Sequence, residues 1–116
     1  MTEKHKNTVL VLDSATLGRG ADELGANLMV NFLRNLAFRD DLPETILCYN
    51  TGARLTETTS PAFPMLQALA DKGVEIILCG TCVEYFRLQN KVGIGRVGDM
   101  RGIVEALMKA DKVIYA

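Results

Sequence analysis

The sequence predicts an α/β fold, a three-layer α/β/α sandwich built on a mainly parallel five-stranded sheet. Short, β-branched apolar segments alternate with longer amphipathic ones, a pattern typical of parallel strands joined by crossover helices. The first apolar segment, 8–13, is almost continuously apolar, as expected of a strand covered on both faces. The chain of 116 residues, 48% of them hydrophobic, is long enough to bury the core of one domain. We therefore expect a polar leader at 1–7 and a single domain over 8–116.

Four amphipathic segments predict the helices. The longest helix is expected over 22–38, where apolar residues recur every three or four positions. Ser60, which a proline follows, is a suitable cap for the second helix, and Gly73 is a suitable end. A short third helix is expected from Cys82 to about residue 88, and Asp99 is expected to cap a fourth over 100–109.

The other four strands are expected at 44–49, 74–79, 92–97 and 112–115. Ligands of an open parallel sheet gather beyond the carboxyl ends of its strands. Residues that directly follow the strands would therefore share one rim of the sheet. They are Arg19 after the first strand, Asn50 and Arg54 after the second, and Cys82 after the third. We expect the functional site on this rim.

Composition excludes several classes of function. The net charge of -1 gives no general attraction to nucleic acid or to anionic membranes. No segment approaches the roughly 20 apolar residues of a membrane span, and the leader lacks the apolar core of a secretory signal. Three cysteines, an odd number, argue against a disulfide framework. We therefore expect a cytoplasmic protein without nucleic-acid or membrane partners.

The turn Cys79-Gly80-Thr81-Cys82 is the most informative motif. It lies where an apolar strand passes into a helix, and unpaired backbone amides there, with the helix dipole, favour a thiolate. Arginines on the same rim would lower the pKa of the thiol further, whereas the nearby Glu84 would raise it. The net direction of the shift stays open at this point. Simple packing of both cysteines in the core is the alternative interpretation.

Other kinds of site match the sequence less well. The loop Gly18-Arg19-Gly20 has neither the dinucleotide nor the Walker A spacing. The single histidine, His5, lies in the leader, so no hydrolase triad or complete zinc site is indicated. A thioredoxin-like protein would share the CxxC spacing, but no proline follows the motif to provide the usual facing loop. We expect no metal and no cofactor.

Segments spread over nearly the whole chain carry a further signal. They are Leu17-Gly18-Arg19-Gly20 with Glu23-Leu24-Gly25, Cys48-Tyr49-Asn50-Thr51-Gly52 with Leu55, Gly73-Val74-Glu75-Ile76, the cysteine turn, and Val97-Gly98-Asp99-Met100. In order and spacing they resemble the DsrE/DsrF-like sulfur-relay family, most closely the DsrE-like domain of YedF-type selenium-metabolism proteins. The resemblance implies a DsrE/DsrF-like fold, homo-oligomerisation and a persulfide on a helix-start cysteine, which by position is Cys82. YedF-type proteins place a sulfur-carrier domain before this one, so the resemblance implies a sulfur-carrier protein or domain as a partner.

The sequence thus predicts a sulfur-relay protein, with a link to selenium metabolism implied by the resemblance. It would carry sulfane sulfur as a persulfide on Cys82, and its substrate would be a small sulfur-containing anion. Cys79 is the second candidate catalytic residue. The candidate substrate-binding residues are Arg19, Asn50, Arg54, Gly80 and Thr81.

Two alternative functions stay open. The chain is either a non-catalytic oligomeric module that binds a small anion or a partner, or a CxxC thiol-disulfide oxidoreductase. Cys79 would resolve a persulfide on Cys82 as a disulfide, but its expected burial argues against that step. Contact between subunits is expected at Tyr85, Phe86 and Leu88, because these apolar residues lie beside the cysteine turn.

Overall fold

Five parallel strands form one sheet in the computed structural model, which describes residues 7–116. The strands are β1 Thr8–Leu12, β2 Thr45–Cys48, β3 Glu75–Cys79, β4 Arg96–Gly98 and β5 Lys112–Tyr115. Their order is β4-β3-β2-β1-β5, and each is parallel to its neighbours. The α/β fold predicted from the alternating segments is confirmed. The expected leader, with His5, lies outside the described residues except for Asn7.

Helices cover both faces of the sheet. They are α1 Asp22–Ala37, α2 Phe63–Asp71, α3 Gly80–Tyr85 and α4 Met100–Lys109, with a 3-10 helix at Asn50–Thr56. Alternate strand residues such as Leu10 and Ile46 pack with α1 and α2 in one buried cluster. The residues between them, such as Val11 and Leu47, pack with Ile103 of α4 in a second cluster. No helix in the part of the chain that the structure describes is long and apolar enough to cross a membrane.

Three elements differ from the sequence prediction by two residues or more at a boundary. The third helix begins at Gly80 rather than at Cys82, and it ends at Tyr85 rather than near residue 88, because the chain leaves helical geometry at Arg87 with a φ of +56°. Ser60 accepts a hydrogen bond from the amide of Ala62, but a turn intervenes and α2 begins only at Phe63. The fourth strand begins at Arg96 rather than at residue 92, because Gly95 turns the chain with a φ of +91°. The predicted capping residue of α4 is confirmed, since Asp99 Oδ1 accepts a hydrogen bond from the Gly102 amide at 2.9 Å.

The residues expected to join subunits lie mostly inside the monomer. Leu88 is buried with Val83 in a small cluster, and Phe86 packs against that cluster, whereas Tyr85 is exposed. A different apolar surface is exposed instead. Met100, Val104 and Met108 lie one helical turn apart on α4, and each side chain is at least half exposed.

Cys48 lies within the core beneath α1 and α2, which makes stability depend on pH. Burial raises the pKa of its thiol to about 12 from a usual value of 9.0. Between these values only the unfolded chain loses the proton, so the free energy of unfolding should fall by about 1.4 kcal/mol per pH unit from this group.

Denaturant unfolding between pH 9 and 12 checks this prediction. The Cys48→Ala variant, although less stable at neutral pH, should show a shallower fall with pH, because its core contains no titrating thiol. If the free energy of unfolding fell equally steeply with pH in the variant and the wild type, Cys48 would not be the cause of this pH dependence.

Candidate functional site

The thiol of Cys82 lies at the carboxyl edge of the sheet. Cys82 is the third residue of α3, which directly follows β3. The backbone N–H of Asn50, just beyond β2, donates a hydrogen bond to Cys82 Sγ with an N–S distance of 3.0 Å. Cys82 is half-buried. Two parts of the rim that are 32 residues apart in sequence therefore meet at this sulfur atom.

Local backbone geometry directs the Asn50 amide toward the thiol. Asn50 has a φ of +54°, a left-handed conformation that asparagine adopts more readily than most residues. Its side-chain Oδ1 accepts a hydrogen bond from the Thr51 amide at 2.8 Å. Thr51 Oγ1 in turn accepts one from the Ala15 amide at 3.0 Å. These bonds tie the start of the 3-10 helix to the loop after β1.

Gly52 lets the 3-10 helix lie directly against the end of β1. A Cβ added to Gly52 would lie 1.9 Å from the carbonyl oxygen of Leu12, well inside van der Waals contact. The Tyr49 amide also donates to that same oxygen, at 3.2 Å. Only glycine fits at this position, and the close approach fixes where the Asn50 amide lies.

Cys79 is the buried neighbour of Cys82. It ends β3 and precedes the first residue of α3, with an extended backbone of φ -69° and ψ 122°. Its exposed fraction is 3%, and it belongs to the apolar cluster with Leu47 and Ile103, against which Cys82 packs. The Cys79 thiol is close enough to Cys82 to affect its pKa. Both cysteines are free thiols, as is Cys48, which belongs to the cluster on the other face of the sheet.

The pKa of Cys82 is raised. Burial is the main cause, the neighbouring Cys79 thiol adds to it, and the N–H of Asn50 acts in the opposite direction. Glu84, which was expected from the sequence to raise this pKa, is not among the causes, so burial rather than a nearby carboxylate sets the direction. A helix of only six residues contributes little to offset burial.

The two candidate arginines make other interactions. Arg54 forms an ion pair with Glu57, 3.2 Å from Nε to Oε2, and its guanidinium lies 5.6 Å from the centre of the Phe86 ring. Arg19 borders a separate polar cleft at the end of β1, together with Asp13 and Ser14. Within residues 7–116, neither guanidinium is among the groups that shift the pKa of Cys82. The rim thus carries the arginines, but the structure does not bring them to the thiol.

Gly80 and Thr81 line a groove of about 410 Å³ beside β4. A Cβ at Gly80 would lie 3.1 Å from the carbonyl oxygen of Gly98, so α3 packs tightly on this edge strand. Cys82 is not among the residues that line the groove. Of the five candidate binding residues, Asn50 is the one with a hydrogen bond to the thiol.

Tyr49 is a site residue that was not predicted from the sequence. It packs against the same apolar cluster as Cys82. Burial raises the pKa of its hydroxyl, and the nearby Tyr115 and Asp13 raise it further. The signal in the sequence is its position at the end of the predicted strand 44–49, directly before Asn50.

Comparison with known proteins identifies the fold. No protein-family model and no curated protein matches the sequence. The solved YchN protein from E. coli is similar, with a TM-score of 0.68 at 15% identity over 97% of this chain and 100% of that one. The likeness is one of fold. YchN supports the α/β fold with a parallel five-stranded sheet that was expected from the sequence, whereas the DsrE-like and YedF-type assignments stay predictions.

Two other solved proteins, both of unknown function, share this architecture. One, from Methanobacterium thermoautotrophicum, gives a TM-score of 0.71 at 17% identity over 97% of this chain and all of that one. The other, from Bacteroides thetaiotaomicron, gives 0.63 at 17% identity over 95% of each chain. Within residues 7–116, no group of three or more His, Cys, Asp or Glu side chains is arranged to hold a metal ion.

Proposed function

We propose that this protein carries sulfane sulfur as a persulfide on Cys82. The observation that supports this most strongly is the position of Cys82 Sγ, half-buried at the carboxyl edge of a parallel sheet with a backbone N–H at 3.0 Å. Backbone amides stabilise sulfur anions without adding a mobile charge. Partial burial leaves the sulfur open to a donor on one side and shields a bound persulfide on the other.

Loading is a transfer between two sulfur atoms. The Cys82 thiolate attacks the terminal sulfur of a donor persulfide, a new S–S bond forms on Sγ, and the donor leaves as its thiolate. One sulfur atom moves, and the charge is unchanged. The Asn50 amide donates to Sγ while it is the attacking thiolate. The donor is a small sulfur-containing anion or the persulfide of a sulfur-carrier protein, and we place the reaction in the reducing cytoplasm, where both cysteines stay free.

The raised pKa of Cys82 predicts how loading depends on pH. Because the thiolate is the minor form at neutral pH, its fraction and the loading rate should rise roughly tenfold per pH unit up to the pKa of the thiol. Glutathione persulfide is a suitable donor, and intact mass spectrometry at a series of pH values measures the gain of one sulfur atom.

Two outcomes of that experiment would reject the proposal. A non-catalytic binding module would gain no sulfur at any pH. A thiol-disulfide oxidoreductase without a carrier role would form the internal disulfide with no persulfide preceding it in time.

We further propose that a second copy of the chain covers the exposed apolar stripe on α4, which consists of Met100, Val104 and Met108. The helix carries Asp99 at its start and Lys109 at its end, so an antiparallel pair would place opposite charges together at both ends of the stripe. Val104→Glu should convert the dimer to a monomer in light scattering at micromolar concentration, because Val104 would lie at the centre of that pair. Leu24→Glu, on the exposed side of α1, is the control and should stay dimeric. A monomeric wild type would refute this assembly.

A further inference from the structure

The position of Cys79 suggests a fate for the sulfur that Cys82 carries. Cys79 is 3% exposed, so donors and acceptors in solution cannot reach its thiol. Cys82, three residues along the chain, nevertheless packs against the same buried cluster that contains Cys79. Burial therefore excludes intermolecular exchange at Cys79 but leaves an intramolecular partner within reach.

We propose that Cys79 is a resolving thiol that converts the Cys82 persulfide into an internal disulfide and releases sulfide. This inference rests on the proposed function, because it needs a persulfide on Cys82. Cys79 loses its proton and attacks Cys82 Sγ, and the bond from Sγ to the sulfane sulfur breaks. The sulfane sulfur leaves with the electron pair and takes up a proton as hydrosulfide, so it is reduced while the two cysteines are oxidised to a disulfide.

The backbone at Cys79 suits this bond. Residues three apart in a helix have Cβ atoms about 5–6 Å apart, and a disulfide needs about 3.5–4.5 Å. Cys79 lies just outside the helix, where its extended backbone is free of helical geometry. We expect a rotation at Cys79, outside the hydrogen-bonded turns of α3, to bring the two sulfur atoms together.

The pairing also gives the reaction a direction. The half-buried Cys82 receives sulfur from donors in solution, whereas the buried Cys79 attacks only the persulfide on Cys82. Cys48 cannot replace it, because Cys48 packs in the cluster on the opposite face of the sheet. Return to the reduced state requires an external thiol such as glutathione, which reopens the disulfide from the side of Cys82.

A comparison of the wild type with Cys79→Ser tests the inference. Each protein is loaded with glutathione persulfide and freed of small thiols by rapid desalting. Sulfide is then trapped with monobromobimane over time, and disulfides are mapped under non-reducing conditions. The wild type should release one sulfide for each persulfide lost and accumulate a Cys79–Cys82 disulfide. The Cys79→Ser variant should load and then retain its persulfide.

The outcomes separate this inference from the proposed function. If both proteins load and lose sulfur at the same rate, with no disulfide between Cys79 and Cys82, the resolving role is wrong and the carrier role stands. If neither protein loads, the carrier role itself fails. Should Cys79→Ser fold poorly, Cys79→Ala removes the thiol without burying a hydroxyl. The disulfide map of the wild type provides evidence that is independent of either variant.

Discussion

The Cys82→Ser variant is expected to take up no sulfur from a persulfide donor while keeping the wild-type fold. Serine is nearly isosteric with cysteine, and its hydroxyl can accept the same hydrogen bond from the Asn50 amide. Its stability should therefore stay within about 1 kcal/mol of the wild type. The hydroxyl does not form a persulfide, so sulfur loading should fall to the background level.

Cys48→Ala is the matched control for this experiment. It also removes one thiol, but from the cluster on the opposite face of the sheet, and it should load like the wild type. Circular dichroism would establish that both variants are folded. Equal loading of Cys82→Ser and the wild type would reject Cys82 as the carrier.

Replacing Gly52 with alanine is expected to damage both stability and the site. The added Cβ would lie 1.9 Å from the Leu12 carbonyl oxygen, which is part of the sheet backbone and cannot move aside. Forcing a methyl group into such a position should cost about 3 kcal/mol. The 3-10 helix would shift away from β1 and carry the Asn50 amide away from Cys82 Sγ. Denaturant unfolding measures the first effect, and the pH dependence of loading measures the second.

Gly102→Ala is a suitable control for that substitution. Gly102 lies in the first turn of α4, and a Cβ there would meet only a side-chain atom, the capping oxygen of Asp99, at 3.3 Å rather than any backbone atom. Since alanine favours a helix more than glycine by about 1 kcal/mol, this variant should be as stable as the wild type or slightly more so. Equal effects of the two substitutions would mean that the contact at Gly52 is not what holds the 3-10 helix.

Much of the fold could be predicted because its signals are local. The nearly continuous apolar run at 8–13 indicates a strand covered on both faces, and β1 is indeed an interior strand, between β2 and β5, with all its residues buried. The capping role of Asp99 could be predicted, because short polar side chains are preferred directly before the first turn of a helix. The start of β4 could not be predicted in this way, because it depends on where Gly95 turns the chain beside β3.

The candidate site could be predicted only in part. The rule that functional residues gather beyond the carboxyl ends of parallel strands correctly placed Asn50 and Cys82 on one rim, because it depends only on the direction of the strands. Which side chains on that rim meet depends on tertiary detail. Arg54 forms an ion pair with Glu57 instead of approaching the thiol, and the pKa of Cys82 rises because burial outweighs the amide of Asn50. Neither the ion pair nor the raised pKa could be predicted from the spacing of residues in the sequence.

The position of the added sulfur in the wild-type protein tests the central claim most directly. After brief exposure to glutathione persulfide, persulfides are trapped by alkylation, and peptide mass spectrometry assigns the extra sulfur atom to one cysteine. We expect it on Cys82, with Cys48 and Cys79 present as thiols at the earliest times. Sulfur found first on Cys48 or Cys79, or on no cysteine at all, would contradict the account.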